Sequence, residues 1–83
     1  MIHRMFSVFD VTANAYLQPF FTVNTGTAVR SISELVNDKA HQFGKYPNDY
    51  VLYEVGSFDD VSGSLTPQPS PLKVAVLVEF LRE

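Results

Sequence analysis

Residues 46–63, YPNDYVLYEVGSFDDVSG, decide the fold. Tyr46-Pro47-Asn48-Asp49 has the residue types of a tight turn, because proline presets φ and Asn or Asp bonds its own backbone. Residues 50–55 are aromatic and β-branched, the composition of a strand. Gly56 breaks that run, the Phe-Asp-Asp-Val-Ser-Gly loop of residues 58–63 closes it, and residues 64–66 begin a return strand. Gly63 supplies the positive φ that a hairpin loop of about three to five residues needs. The expected order is therefore turn, strand, hairpin. Within the strand, Tyr50, Leu52 and Glu54 alternate with Val51, Tyr53 and Val55, and Glu54 marks the first set as the wetter face.

Upstream, residues 4–9 read as a first strand with Phe6 and Val8 on one face and Met5 and Phe9 on the other, so both faces are at least partly covered. Residues 10–14 are a polar turn. Residues 16–23 form a second extended segment, which Pro19 makes an edge strand or one that starts late. Across residues 26–37, Ala28, Val29, Ile32, Leu35 and Val36 gather on one side of a 3.6-residue period, with Asn24 or Thr25 as N-cap. Arg30, Ser33, Glu34 and Asn37 take the other side. Residues 39–49 are an irregular connector. Downstream, Pro67, Pro69 and Pro71 mark an extended spacer. Val74, Val76, Val78 and Phe80 then alternate as in a strand, while Leu72, Ala75, Val76 and Glu79 also fit a short helix.

The expectation is a single α+β domain over residues 1–66: a small, mainly antiparallel sheet of about four strands with one amphipathic helix packed on it. Residues 67–83 are a Pro-rich spacer and an apolar strand or short helix, docked on the same domain or on a partner subunit. At 83 residues, one core stabilises the fold only modestly. Seven Phe and four Tyr can fill such a core, and the absence of cysteine removes disulfides and thiolate metal sites. A homodimer is expected, because sheet edges are open and apolar side chains abundant. No apolar run reaches transmembrane length and no signal-peptide core is visible, so a soluble protein without a membrane partner is expected. Six Lys and Arg against nine Asp and Glu give a net charge of -3, so global steering toward DNA is weak and any DNA contact needs a local patch.

One ordered set of motifs resembles a narrow viral family. Ser-Val-Phe-Asp at 7–10 and Ala-x-x-Tyr-x-x-Pro-Phe-Phe at 13–21 precede Ala-Val-Arg at 28–30 and Val-Asn-Asp at 36–38. Pro-Asn-Asp-Tyr-Val-Leu-Tyr at 47–53, Gly-Ser-Phe-Asp at 56–59 and Gly63 follow. Together they resemble the small nonstructural protein of gokushoviruses, a branch of the microviruses, tailless phages with circular single-stranded DNA. The resemblance implies a non-enzymatic, replication-stage protein in the cytoplasm of the infected bacterial host. It would bind single-stranded DNA or viral replication proteins and favour single-strand synthesis and packaging. It brings no catalytic motif and no cofactor, and the Pro-rich tail departs from its pattern.

Among candidate site residues, Lys39, His41, Phe43, Lys45 and Tyr46 interleave cations and rings, as a single-strand groove does. The alternative is an exposed loop whose Phe43 plugs the core. Arg30 lies toward the positive end of the helix dipole, which helix stability does not explain. It either binds phosphate or pairs with a carboxylate such as Asp38 or Asp49. Phe20 and Phe21 point to opposite faces, as do Tyr50 and Tyr53. Of the two Phe rings one belongs to the core and the other is covered by a subunit partner or open to stacking. Tyr hydroxyls at the strand surface can contact phosphate but more often hydrogen-bond locally. Asp49, Glu54, Asp59 and Asp60 could approach a hard cation, but Asp in turns bonds local backbone, so neither metal nor enzyme activity is expected. The rival reading is a protein-protein module that contacts no DNA. A groove joining Arg30, Lys39 and Lys45 beside exposed rings favours DNA; a bare apolar patch favours a protein partner.

Overall fold

In the computed structural model, which describes residues 1–82, the central strand runs well past the expected break. This strand, β4, is Tyr50–Asp59. On one side it pairs antiparallel with β1, Ile2–Asp10, and on the other with β5, Leu65–Val76. Two short strands, β2 at Ala15–Tyr16 and β3 at Phe20–Thr22, pair with the outer edge of β1. The α+β class is as expected, with five strands rather than about four. Pro19 is the reason: it divides the second extended segment into two short edge strands.

Gly56 does not end the strand but sits at a bulge. Met5 pairs with Gly56 and Phe6 with Glu54, which leaves Val55 without a partner on β1. The extra residue reverses the alternation. Tyr50, Leu52 and Glu54 share the face of Phe6 and Val8; beyond the bulge Ser57 and Asp59 take that face, and Gly56 and Phe58 the opposite one. A Cβ at Gly56 would lie 2.7 Å from the Thr66 carbonyl oxygen, so the close approach of β5 requires glycine there. The turn itself lies further on, where Gly63 has φ 75° and its N–H donates to the Asp59 carbonyl at 2.8 Å.

The main helix, α1, is Thr25–Val36, and Asn24 is its N-cap, with Oδ1 accepting the Thr27 N–H at 2.8 Å. Ala28, Ile32 and Val36 press onto Phe6, Val8, Tyr50 and Leu52. The Glu54 set is therefore the core face and not the wetter one. Glu54 escapes deep burial by lying at the end of that row, where its carboxylate is 4.0 Å from Arg4 Nη1. The connector is not irregular throughout. It holds a short helix, α2, Gln42–Lys45, and a 3-10 turn, Pro47–Asp49. Phe43 of α2 is buried in the core, as the alternative reading of that loop had it. Gly44 has no room for a side chain, because a Cβ there would collide with the Asp38 carbonyl.

The Pro-rich residues continue the sheet as part of β5. Gly56 pairs with Pro67 and Glu54 with Leu72, so residues 68–71 bow outward opposite Val55 alone. After Val76 the chain forms a 3-10 turn, Leu77–Phe80, and Leu77 is fully buried. Residues 72–80 are thus strand and then short helix, in that order. The Asn37 amide secures this tail: Nδ2 donates to the Phe80 carbonyl at 3.0 Å and Oδ1 accepts the Arg82 N–H at 2.8 Å.

Leu77→Ala is expected to lower unfolding free energy by about 2–5 kcal/mol, the usual range for emptying a filled core site. Leu65→Ala, at an exposed position, is expected to stay within about 0.5 kcal/mol of the parent. Denaturant unfolding of both variants checks the contrast. Gly44→Ala is expected to destabilise more than any helix-propensity gain can offset, read from the same titration.

Candidate functional site

One face of the sheet packs on α1; the pairing register defines the other. It carries His3, Met5, Ser7 and Phe9 from β1, Val51, Tyr53, Gly56 and Phe58 from β4, and Tyr16, Phe21, Leu65 and Lys73 from their neighbours. No position that the pairing places on this face is an Asp or Glu. In a chain of net charge -3, the acidic groups therefore lie elsewhere.

The rings form two groups. Near the turn after β1, Phe9 and Tyr16 have centroids 4.8 Å apart, and Tyr53 meets Tyr16 at 5.7 Å and Phe9 at 6.4 Å, the last edge-on at 90°. Toward the β4–β5 hairpin, Phe21 meets Phe58 at 6.2 Å and 70°, and His3 lies 6.5 Å from Phe58. Such tilted contacts follow the ring quadrupole. They leave surface exposed: Tyr16 is 46% accessible and Phe21 49%. His3, Phe21, Phe58 and Leu65 wall an open depression of about 450 Å³.

Asp60 stands at the hairpin turn. One carboxylate oxygen accepts the Met1 ammonium at 2.7 Å, and the other lies 2.9 Å from His3 Nε2. The ammonium bond, then the His3 bond, holds this carboxyl below the usual carboxylate range. Asp59 is also lowered, chiefly by the Val61 N–H it accepts. An ionised carboxylate only accepts, so Nε2 carries the proton in the His3 contact.

The residues singled out from sequence are divided between the two layers. Arg30 is exposed on α1, and among the described residues neither Asp38 nor Asp49 forms an ion pair with it. Asp38 instead accepts the Ala40 N–H at 2.9 Å. Lys39 and Lys45 are exposed after α1 and within α2, and Tyr46 is exposed beside them. His41 caps α2, its Nδ1 accepting the Phe43 N–H at 3.0 Å, and its ring lies 4.7 Å from that of Phe43. These groups belong to the helical layer, not to the open sheet face. The ring clusters lie on the other side of the sheet from these cations, and a depression on the helical side, about 230 Å³, is lined by Leu17, Phe20, Ile32, Leu35 and Phe43 among others.

The paired rings separate as alternation required. Phe20 stacks on Phe6 at 5.9 Å in the core, and Phe21 is on the open face. Tyr50 is 6% accessible and packs on Phe43; burial, with Asp10 and Asp49 nearby, pushes its hydroxyl pKa up. Tyr53 is on the open face. Sequence reasoning did not select His3, Phe9, Tyr16, Phe58 or Lys73. Phe9 was legible from β1 alternation, but Phe58 required knowledge of the bulge. Among the described residues no cluster of His, Asp and Glu could hold a metal ion, and no helix is long and apolar enough to cross a membrane.

A helix-backed antiparallel sheet with an aromatic, carboxylate-free outer face places the chain in a class of small α+β proteins whose open sheet face is the candidate site. Residues 3–80 match the family model described as phage ORF5 protein, and the chain belongs to that family; it is a phage protein. No curated protein and no solved structure matches it.

Because the folded Asp60 carboxyl titrates below its unfolded value, its stabilising contribution is present above the ordinary carboxylate range. It is lost as pH falls through the folded value. Acidification below pH of about 4 is therefore expected to loosen the hairpin turn. Asp60→Asn is expected to flatten that acid limb, as followed by denaturant midpoints across pH.

Proposed function

We propose that this phage protein is a non-enzymatic, replication-stage protein of a small single-stranded-DNA phage of the gokushovirus branch. It binds single-stranded DNA on the open face of its sheet and favours single-strand synthesis and packaging in the cytoplasm of the infected bacterium. The observation that carries the reading is the face itself: two groups of partly exposed rings, Lys73 beside Tyr53, and no carboxylate in register among them. Stacking suits a protein that must accept any genome sequence, because every base has a π-face. It also suits a chain of net charge -3, since stacking needs few phosphate contacts. The cations Arg30, Lys39 and Lys45 lie in the other layer, so a strand held on the rings does not depend on them.

A second reading keeps one specific support. The depression at Phe21, Phe58 and Leu65 is apolar, and Leu65 is 62% accessible, a surface that also suits a protein partner or a second copy of this chain in a homodimer. Strand addition is the less suitable mode. β5 is one edge of the sheet and carries three prolines, and the opposite edge is formed by two very short strands.

Anisotropy of a labelled single-stranded oligonucleotide across a salt series tests the proposal. Tyr16→Ala and Tyr53→Ala are each expected to weaken binding by about 1–3 kcal/mol. Lys73→Ala is expected to reduce the salt slope by about one. Neutralising Arg30, Lys39 and Lys45 together is expected to change little. Absence of binding at low salt by the folded protein refutes direct DNA contact and leaves the protein-partner reading.

A further inference from the structure

We propose that the depression walled by His3, Phe21, Phe58 and Leu65 is a second stacking station, which takes one nucleobase of a single strand already held at Tyr16 and Tyr53. The inference rests on the DNA-binding reading above and adds a footprint to it. Tyr53 and Phe58 lie on one strand, and with one bulged residue between them their separation is about 13–17 Å at the usual strand rise. A stacked strand advances about 3.4 Å per nucleotide, so the two stations are about four to five nucleotides apart.

The shape suits a planar ring. Phe21 and Phe58 meet at 70°, so a base lying on one ring presents its edge to the other. The volume, about 450 Å³, falls at the lower end of small-ligand pockets, which run to about 1,000 Å³. A partner helix docks through anchors spread over two turns, about 10 Å, whereas the walls here are four side chains around one ring pair. A partner strand adding along β5 would meet Pro67, Pro69 and Pro71, which offer no N–H, and the opposite edge is only two very short strands.

Charge agrees with a polyanion. Asp60 touches the cup through His3, and both its oxygens are engaged, by the Met1 ammonium and by His3. The same contact occupies His3 Nε2, and the other walls are apolar. The station thus holds a base by its face, so purines bind more tightly than pyrimidines through their larger stacking area.

Labelled oligo-dA of two to ten nucleotides, titrated at low salt, tests the footprint. Affinity is expected to step up by at least about fivefold when length reaches five to six nucleotides, one stacked base being added. Phe58→Leu, which keeps the site apolar, and Phe21→Ser, at an exposed position, are each expected to remove the step. Circular dichroism checks the fold of both. Binding by the parent without a step, or a step that survives both substitutions, overturns the second station and leaves the DNA reading intact. A shift in sedimentation by Phe58→Leu with the step unchanged assigns the cup to a second copy and also overturns it. No binding of any length overturns both readings.

Discussion

The arrangement of the sheet depends on Val55 having no partner on β1. A strand with strict alternation would put Phe58 under the helical layer and Ser57 on the outside. The bulge reverses this beyond Gly56, so that Phe58 joins Phe21 and His3 on the outer face. At the same place β5 bows out over residues 68–71, and a second register shift at Val74 brings Ala75 opposite Leu52. Glycine is required at the pivot because the Thr66 carbonyl comes too close for a side chain. One unpaired residue thus puts Phe58 on the outer face.

Behind the sheet, the helical layer is held at both ends. Asn24 caps the start of α1, and Arg4 reaches from β1 to the Thr25 hydroxyl at 2.9 Å. Asn37 at the other end ties down the segment that follows β5. Phe43 of α2, before β4, and Leu77 of the 3-10 turn after β5 also enter the core. The core is accordingly built from β1, α1, α2, the start of β4 and the turn after β5, which suits a domain too small to rely on one helix and one hairpin.

Much of this was legible in the residues. The period of Ala28, Ile32 and Val36 placed α1, the Ser-Gly pair placed the hairpin turn, and Pro19 marked an edge. Alternation also separated Phe21 from Phe20 and Tyr53 from Tyr50, because parity is local. What failed was long-range. Glu54 looked like the sign of a wet face, but its charge is met by Arg4 at the end of a buried row. Gly56 looked like a strand end because a close approach by β5 leaves no local trace. Lys39 and Lys45 are exposed near Tyr46, but of the rings between them His41 caps α2 and Phe43 fills the core, a contact that spacing alone does not show. Sequence spacing carries periodicity well and carries the partner across the sheet poorly.

The pairing of β1 with β4 has a kinetic meaning. Asp10 meets Tyr50 and Ile2 meets Asp59, so each bond of that ladder closes a loop containing α1, α2 and both short strands. The entropy of closing such a loop is lost before the ladder returns any of it. The β4–β5 hairpin and α1 need only local contacts and can form early, but neither is stable without β1 between them and the short strands. Folding of this chain therefore waits on one distant encounter, on the millisecond-to-second scale of non-local sheets rather than the microseconds of a helical bundle of like size.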